Sequence, residues 1–237
     1  MPEVREGDRL GDLICDAAGP VDGEIVVVSQ KVVSKAEGRL RNLADVGPGE
    51  RARELAERTG KDPAMVELAL AESRELIRAE PGVLITETND GWICANAGID
   101  ASNLPDEGWV ALLPEDADAS ARRIREQIRA ASGASPAVVI ADSFGRPWRL
   151  GQAEVAIGCA GLAPLDDWRG RGDSHGRELA ATLISVADEV AAAADLVREK
   201  DAGVPGAVIS GLGHLVSAED GPGAKAQLRP AAEDLFR

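Results

Sequence analysis

Ala137-Val138-Val139-Ile140-Ala141-Asp142-Ser143-Phe144-Gly145-Arg146-Pro147-Trp148-Arg149-Leu150-Gly151 joins an apolar run to a cluster of chemically capable side chains. The run Ala137–Ala141 is short, apolar and rich in β-branched residues, which reads as a buried strand. It ends on an acid and a hydroxyl. The residues beyond it include two glycines, a proline, a tryptophan and two arginines, and read as a loop. Asp142 and Ser143 at a strand's end can ligate a hard cation through oxygen, and Arg146 and Arg149 can hold an anion. The plainer alternative is that Asp142 caps a turn, Gly145 bends it and Trp148 is core. Loops beyond strand ends are frequent sites in folds that mix strands and helices, so the rest of the chain has to decide.

Working outward, the chain has 237 residues, enough for one large domain or two small ones with a full core. Hydrophobic residues make up 44% but aromatics only 3%, and Tyr is absent, so the core must be built from Val, Leu, Ile and Ala. The net charge is −15 and the pI about 4.6. An acidic surface of this kind repels phosphate backbones, which argues against nucleic acid as a partner. An anionic ligand would need a local basic pocket or a metal. Cys15, Cys94 and Cys159 are far apart and follow no ligand spacing, so they read as buried thiols of a reducing compartment. No apolar run approaches the ~20 residues of a membrane span, and the amino terminus does not read as a signal peptide. The expected location is cytoplasmic.

Asp8 reads as the N-cap of a short helix carrying Leu10, Leu13 and Ile14. Glu24–Ser29 is a strong strand. It runs into Gln30-Lys31-Val32-Val33-Ser34-Lys35-Ala36-Glu37-Gly38-Arg39, the best candidate for local positive charge, where lysines can meet phosphates as point charges. It lacks the glycine-lysine frame of a Walker A loop, and a solvated turn is the alternative. Glu50–Arg58 is a short helix ended by Thr59-Gly60. Asp62-Pro63 starts another, with Val66, Ala69, Leu70, Ser73 and Ile77 as one stripe and Pro81-Gly82 as its stop. Val83–Thr88 and Trp92–Ala95 form a hairpin through Asn89-Asp90-Gly91. Asn96-Ala97-Gly98-Ile99-Asp100-Ala101-Ser102-Asn103 follows, where Asp100 and Asn103 offer oxygen ligands or recognition groups, unless the cluster is an Asx-rich turn.

Pro114–Ser120 opens a helix with its acids at the positive end, Ile124 and Ile128 buried, Arg122, Arg123, Arg125 and Arg129 solvated, with a phosphate contact from one of them as the alternative, and Gly133 as its stop. Gln152–Gly161 reads as a strand approached closely by another backbone. The charged, glycine-rich loop Asp166–Asp173 is either a recognition loop or plain surface, and His175 at its end reads as a cap or surface residue near a helix start. Arg177–Lys200 is expected to be the longest helix, with Leu179, Leu183, Val186, Val190, Ala194 and Val197 as its stripe. Gly206–Gly211 is a further buried strand, and a less regular tail follows. With no repeat and no flexible linker, residues 1–237 read as a single domain of one compact unit or two intimately joined lobes.

Taken together and in this order, Val28–Arg39, Cys94–Asn103, Leu113-Pro114-Glu115-Asp116 and Asp142–Gln152 closely resemble the coenzyme F420-0:L-glutamate ligase family, over Pro2 to about Gly211. Larger actinobacterial members of that family carry a nitroreductase-like domain after this one, which is not expected here. The resemblance implies an α+β (mixed α/β) two-lobed fold with mixed sheets and flanking helices, neither P-loop nor Rossmann, in an intertwined homodimer. It implies a GTP-dependent ligase that joins L-glutamate to the lactyl carboxylate of coenzyme F420-0, and then further glutamates by γ-linkage, through an acyl phosphate. It further implies two Mg²⁺ or Mn²⁺ ions, with K⁺ as an accessory ion it allows. Asp100 and Asp142 would share one metal and Ser143 would hold a second. Gln30, Lys31, Lys35 and Asn103 would meet the nucleotide, flanked by Pro2, Glu3 and Val4 and by Arg198, Glu199, Lys200, Asp201, Ala202, Gly203 and Val204. Glu199 is one place from where relatives carry an extra metal ligand, and Lys200 stands at that place. Arg146, Arg149 and Arg169 are candidates for substrate contacts on charge and position alone. The competing readings are a related ligase with another acceptor and a non-catalytic nucleotide-binding partner protein.

Overall fold

The computed structural model describes residues 1–104, 106–198, 202–234 and 236. Its fold is mixed α+β, and its buried residues divide into two apolar cores. The larger core is organised by a four-stranded sheet in the order β11 (Gly206–Ile209), β1 (Ile25–Ser29), β7 (Ala137–Arg146), β8 (Arg149–Ala160). Near-continuous runs such as Ile25–Val28 and Ala137–Ala141 are buried, as expected of strands covered on both faces. Helices α1 (Leu10–Ala18), α5 (Ala117–Ser132) and α6 (Val186–Asp195) supply the covering side chains, among them Ile14, Ile124, Ile128 and Val190. Gly158 on β8 makes room for α5, since a Cβ there would stand 2.3 Å from the Ala117 carbonyl oxygen.

β1 and β7 are parallel neighbours, with Ser29 opposite Ala141. A parallel pair requires a long crossover, and this one contains the second core. Helices α3 (Glu50–Thr59) and α4 (Pro63–Ala71) pack there on the antiparallel strands β3 (Ser73–Glu80), β4 (Val83–Thr88) and β5 (Ile93–Ala95). Local signals behave as their chemistry requires. Asp62 caps α4 through the amides of Ala64 and Met65, Asp116 caps α5 through Ala119, and Gly60 and Gly133 close their helices in the left-handed region. Between the lobes run α2 (Gln30–Ala36), directly after β1, and the small ribbon of β2 (Leu40–Asn42) with β6 (Trp109–Ala111).

Several sequence expectations are corrected. The longest helix is α5. The segment expected as a helix over 177–200 is helical only at Val186–Asp195. Before it, Leu183–Ser185 (β10) pairs with Leu165–Asp167 (β9), and the Leu179 amide bonds the Arg171 carbonyl, so inter-strand pairing overrides a coincidental helical spacing. Ser73 and Ile77 belong to strand β3, which makes Pro81-Gly82 a hairpin turn. Asp8 accepts from the Arg5 amide, leaving Arg9 at the N-cap of α1. Arg125 is almost fully buried, because its guanidinium meets the carbonyls of Pro136, Ser217 and Ala218 and the Asp220 carboxylate. The residues after Ser143 are no loop but the arms of a β7–β8 hairpin, whose tip leaves Trp148 exposed rather than in the core. β11 is half-buried at the sheet edge, and His175 lies in an exposed loop with no helix starting beside it.

Candidate functional site

Because β1 and β7 are parallel, their carboxyl ends lie at the same edge of the sheet, the edge where ligands of parallel sheets gather. Chain order therefore delivers Gln30 and Lys31, which open α2 directly after β1, and Asp142 and Ser143, where β7 runs on past the end of β1, to one place. The antiparallel neighbours start at that edge too. Glu154 on β8 is opposite Ser143, and the Ser29 amide bonds the Pro205 carbonyl just before β11. The second lobe closes the space with the 96–103 segment. There Asn96, Ala97 and Gly98 have φ of 52°, 55° and 72°, a left-handed run that turns the chain back across the opening. Gly98 has no room for a side chain, since a Cβ would sit 2.6 Å from Leu113.

The resulting cavity measures about 640 Å³, a size suited to a cofactor or nucleotide. Its lining includes Pro2, Glu3, Val4, Gln30, Lys31, Lys35, Asp100, Asn103, Asp142, Ser143, Gly203 and Val204. The structure thus gathers into one wall residues that are scattered from one end of the sequence to the other. Ala202 is exposed beside it, and Glu199, Lys200 and Asp201 lie outside the described residues. Arg146 and Arg149 stand on the exposed hairpin tip, apart from the lining, where Arg146 donates to the Leu150 carbonyl. Arg169 is exposed and engaged with Asp167.

The electrostatics are crowded. Burial pushes the Asp142 carboxyl up to about 7, and the neighbouring charges of Glu154 and Asp100 push the same way, against the Ser143 amide and Lys31. Asp100 behaves oppositely. Burial works against its charge, yet Lys31 and Ser102 hold it below the ordinary carboxylate range. The Lys31 ammonium lies 2.7 Å from Asp100 and 2.7 Å from both the hydroxyl and the carbonyl of Ser102. Lys35, nearly buried, reaches Glu3 at 2.5 Å. Among the described residues, buried polar atoms without a hydrogen-bond partner in this region include Gln30 Nε2, Asn96 Oδ1 and Arg198 Nε, all on residues that line the cavity. Orphaned buried groups of this kind call for a partner that a ligand can supply.

Two carboxylates and a hydroxyl fit a hard divalent cation of the Mg²⁺ type. Such an ion characteristically takes one or two protein carboxylates and fills its remaining positions with water and substrate phosphate oxygens. Among the described residues, no group of three or more Asp, Glu, His or Cys side chains is arranged to hold a metal ion by itself. Sequence reasoning missed Glu154. The signal was its place in the hairpin, invisible while residues 144–151 were read as a loop.

Fold and site define a mixed α+β protein whose cavity, carrying lysines beside oxygen ligands, is equipped for a charged substrate. The family model described as F420-0:Gamma-glutamyl ligase matches residues 1–211, and the chain belongs to that family. It is 46% identical to the Coenzyme F420:L-glutamate ligase of Methanothermobacter thermautotrophicus, with 100% of this chain and 96% of the relative covered. The protein of the same description from Methanopyrus kandleri is 44% identical over 99% of this chain and 94% of its own length, and that from Methanosarcina mazei 38% over 100% and 92%. Among the described residues, no helix is long and apolar enough to cross a membrane.

Proposed function

We propose that this chain is a GTP-dependent ligase that joins L-glutamate to the lactyl carboxylate of coenzyme F420-0 and then adds further glutamates through γ-linkages. The observation that carries the reading is the convergence of Lys31, Lys35, Asp100, Asp142 and Ser143 on one cavity in a chain of this family. A carboxylate is a poor acyl donor. In the proposed reaction it attacks the γ-phosphorus of GTP, the bond to the β–γ bridging oxygen breaks, and GDP leaves an acyl phosphate behind. The glutamate amine then attacks the acyl carbon, and phosphate departs with the C–O bond pair.

Lys31 and Lys35 act as point charges for the phosphates, exchanging Asp100 and Glu3 for them as partners. Gln30 and Asn103 supply polar contacts to the nucleotide, and Pro2–Val4 and Gly203-Val204 border it. Asp100, Asp142 and Ser143 would hold Mg²⁺ or Mn²⁺ ions, two in number, with K⁺ as an accessory ion. The bound metal supplies neutralisation of phosphate charge. Arg146 and Arg149 are proposed contacts for the anionic substrates. They share the hairpin tip with Trp148 and Leu150, 75% and 96% exposed, and Phe236 stands 5.5 Å from Trp148. An exposed apolar patch of this kind supports a homodimer. Consumption of GTP fits a cytoplasmic enzyme.

Mass spectrometry of the deazaflavin after incubation with GTP, Mn²⁺ and L-glutamate tests the reading. The expected result is a ladder of glutamate-sized increments that an Asp142→Asn control does not give. An unchanged deazaflavin with every divalent metal tried would overturn it.

A further inference from the structure

Ser143 sits where a metal or phosphate ligand is wanted, but a hydroxyl serves as an electron-pair donor only if its proton points elsewhere. The structure shows where that proton goes. The Ser143 hydroxyl donates to Glu154 Oε1 at 2.6 Å, across the β7–β8 hairpin in which the two residues are direct partners. Glu154 is 6% exposed and lines the same cavity. Its other oxygen lies 3.2 Å from the Arg198 guanidinium, which is itself 8% exposed. Arg198 follows α6, lies 3.8 Å from Asp195 and donates to the Pro205 carbonyl, so it joins the segment bordering the cavity to the sheet.

We infer that Glu154 is a positioning residue. It takes the Ser143 proton and so turns the serine lone pairs toward the bound cation, while Arg198 fixes the carboxylate in that orientation. This inference rests on the metal-dependent reading of the site given above.

The hydrogen bond from Ser143 and the ion pair with Arg198 make opposite demands on a neutral substitute. In Glu154→Gln, an amide that turns its oxygen to Ser143 presents its NH₂ to the Arg198 guanidinium. The opposite flip satisfies Arg198 but donates a proton into the Ser143 lone pair. Either way one half of the arrangement is lost. Removal of the Glu154 charge would by itself weaken cation binding, so affinity in a single variant does not separate positioning from simple charge. A double-mutant cycle does.

The experiment is titration of Mn²⁺ followed by electron paramagnetic resonance of the free ion, on the full chain without nucleotide, for wild type, Glu154→Gln, Ser143→Ala and the double variant. Thermal melting of each variant controls for folding. The expected result is about a tenfold loss of Mn²⁺ affinity in each single variant, with little further loss in the double, because Glu154 acts through Ser143. Losses that multiply in the double variant, or a Glu154→Gln protein that binds Mn²⁺ as wild type does, would overturn the inference. If Glu154→Gln does not fold, Glu154→Asp, which keeps the charge but withdraws it by one methylene, enters the same cycle with the same expectation. Absence of Mn²⁺ binding in wild type would instead sink the metal reading of the whole site, and this inference with it.

Discussion

Asp142 and Ser143 are neighbours on one strand, yet the strand's alternation gives them different surroundings. Asp142 is crowded by Asp100 and Glu154, whereas Ser143 is held by Glu154. Replacing Asp142 by Asn removes one charge from a crowded group. We expect ligase activity to fall by on the order of 10²–10³-fold, as for loss of one electrostatic partner in a site. The melting temperature should hold or rise, because repulsion is relieved. A matching fall in melting temperature would show that Asp142 serves the fold instead. The cysteines give a second expectation. Burial pushes the thiols of Cys94 and Cys159 up to about 12 each, with the charges of Asp142 and Asp118 respectively acting the same way. At pH 8 such a thiol is about one part in 10⁴ thiolate, and the thiolate is the reactive form. Brief iodoacetamide treatment of the folded protein should therefore spare both, while half-buried Cys15 is the site open to labelling, as peptide mass spectrometry would show.

At the scale of elements, the start of α5 is a junction of polar contacts. Its N-cap carboxylate, Asp116, accepts from Ala119 and lies 3.5 Å from the Lys225 ammonium. Burial works against its charge, but those partners hold it below its ordinary 3.8. A depressed folded pKa means that the stabilisation is present above the unfolded value and fades as pH falls through the folded one. Asp116→Ala should cost about 1 kcal/mol at pH 7, a typical cap contribution. The difference from wild type should shrink below about pH 4. Denaturant melts at pH 7 and pH 3 would measure both, and an undiminished difference at pH 3 would refute the linkage. Two residues further along, Asp118 accepts from the amides of Cys159 and Ala224, so the same helix end holds both the sheet and the tail.

Across the whole molecule, polar links tie the parts together. Arg125 binds the 217–220 segment to the larger core. Arg39 reaches Glu72 and Glu115, and Lys225 reaches Asp90, connecting tail and crossover lobe. Arg125→Met would leave the Pro136, Ser217 and Ala218 carbonyls without this donor. The expected cost is about 3 kcal/mol, by the reasoning for a broken buried polar network. The tail beyond Gly211 should become the first site of limited proteolysis. If cleavage there stays as slow as in wild type, the tail is held without Arg125, by its apolar contacts and the Asp118 and Asp90 links.

Elements whose signals are local were legible in the chain: the strands read at 24–29 and 137–141, the cap at Asp62, the acids opening α5, the stops at Gly60 and Gly133, and the hairpin through Asn89-Asp90-Gly91. The chemistry on offer was legible too, because two lysines after one strand and an acid with a hydroxyl after the apolar run of another are visible without coordinates. Strand pairing was not legible. Residues 144–151 carry loop-like composition and residues 177–185 a helix-like spacing, and in both segments hydrogen bonds to distant backbone override the local pattern. Long-range packing alone sets β1 and β7 side by side and parallel, a decision that no local signal carries. That decision brings Lys31, Asp100, Asp142 and Ser143 to one cavity and sets Glu154 against Ser143. The physical reason is that a site is a set of distances between segments, and those distances are set by pairing and packing that no short stretch of sequence contains.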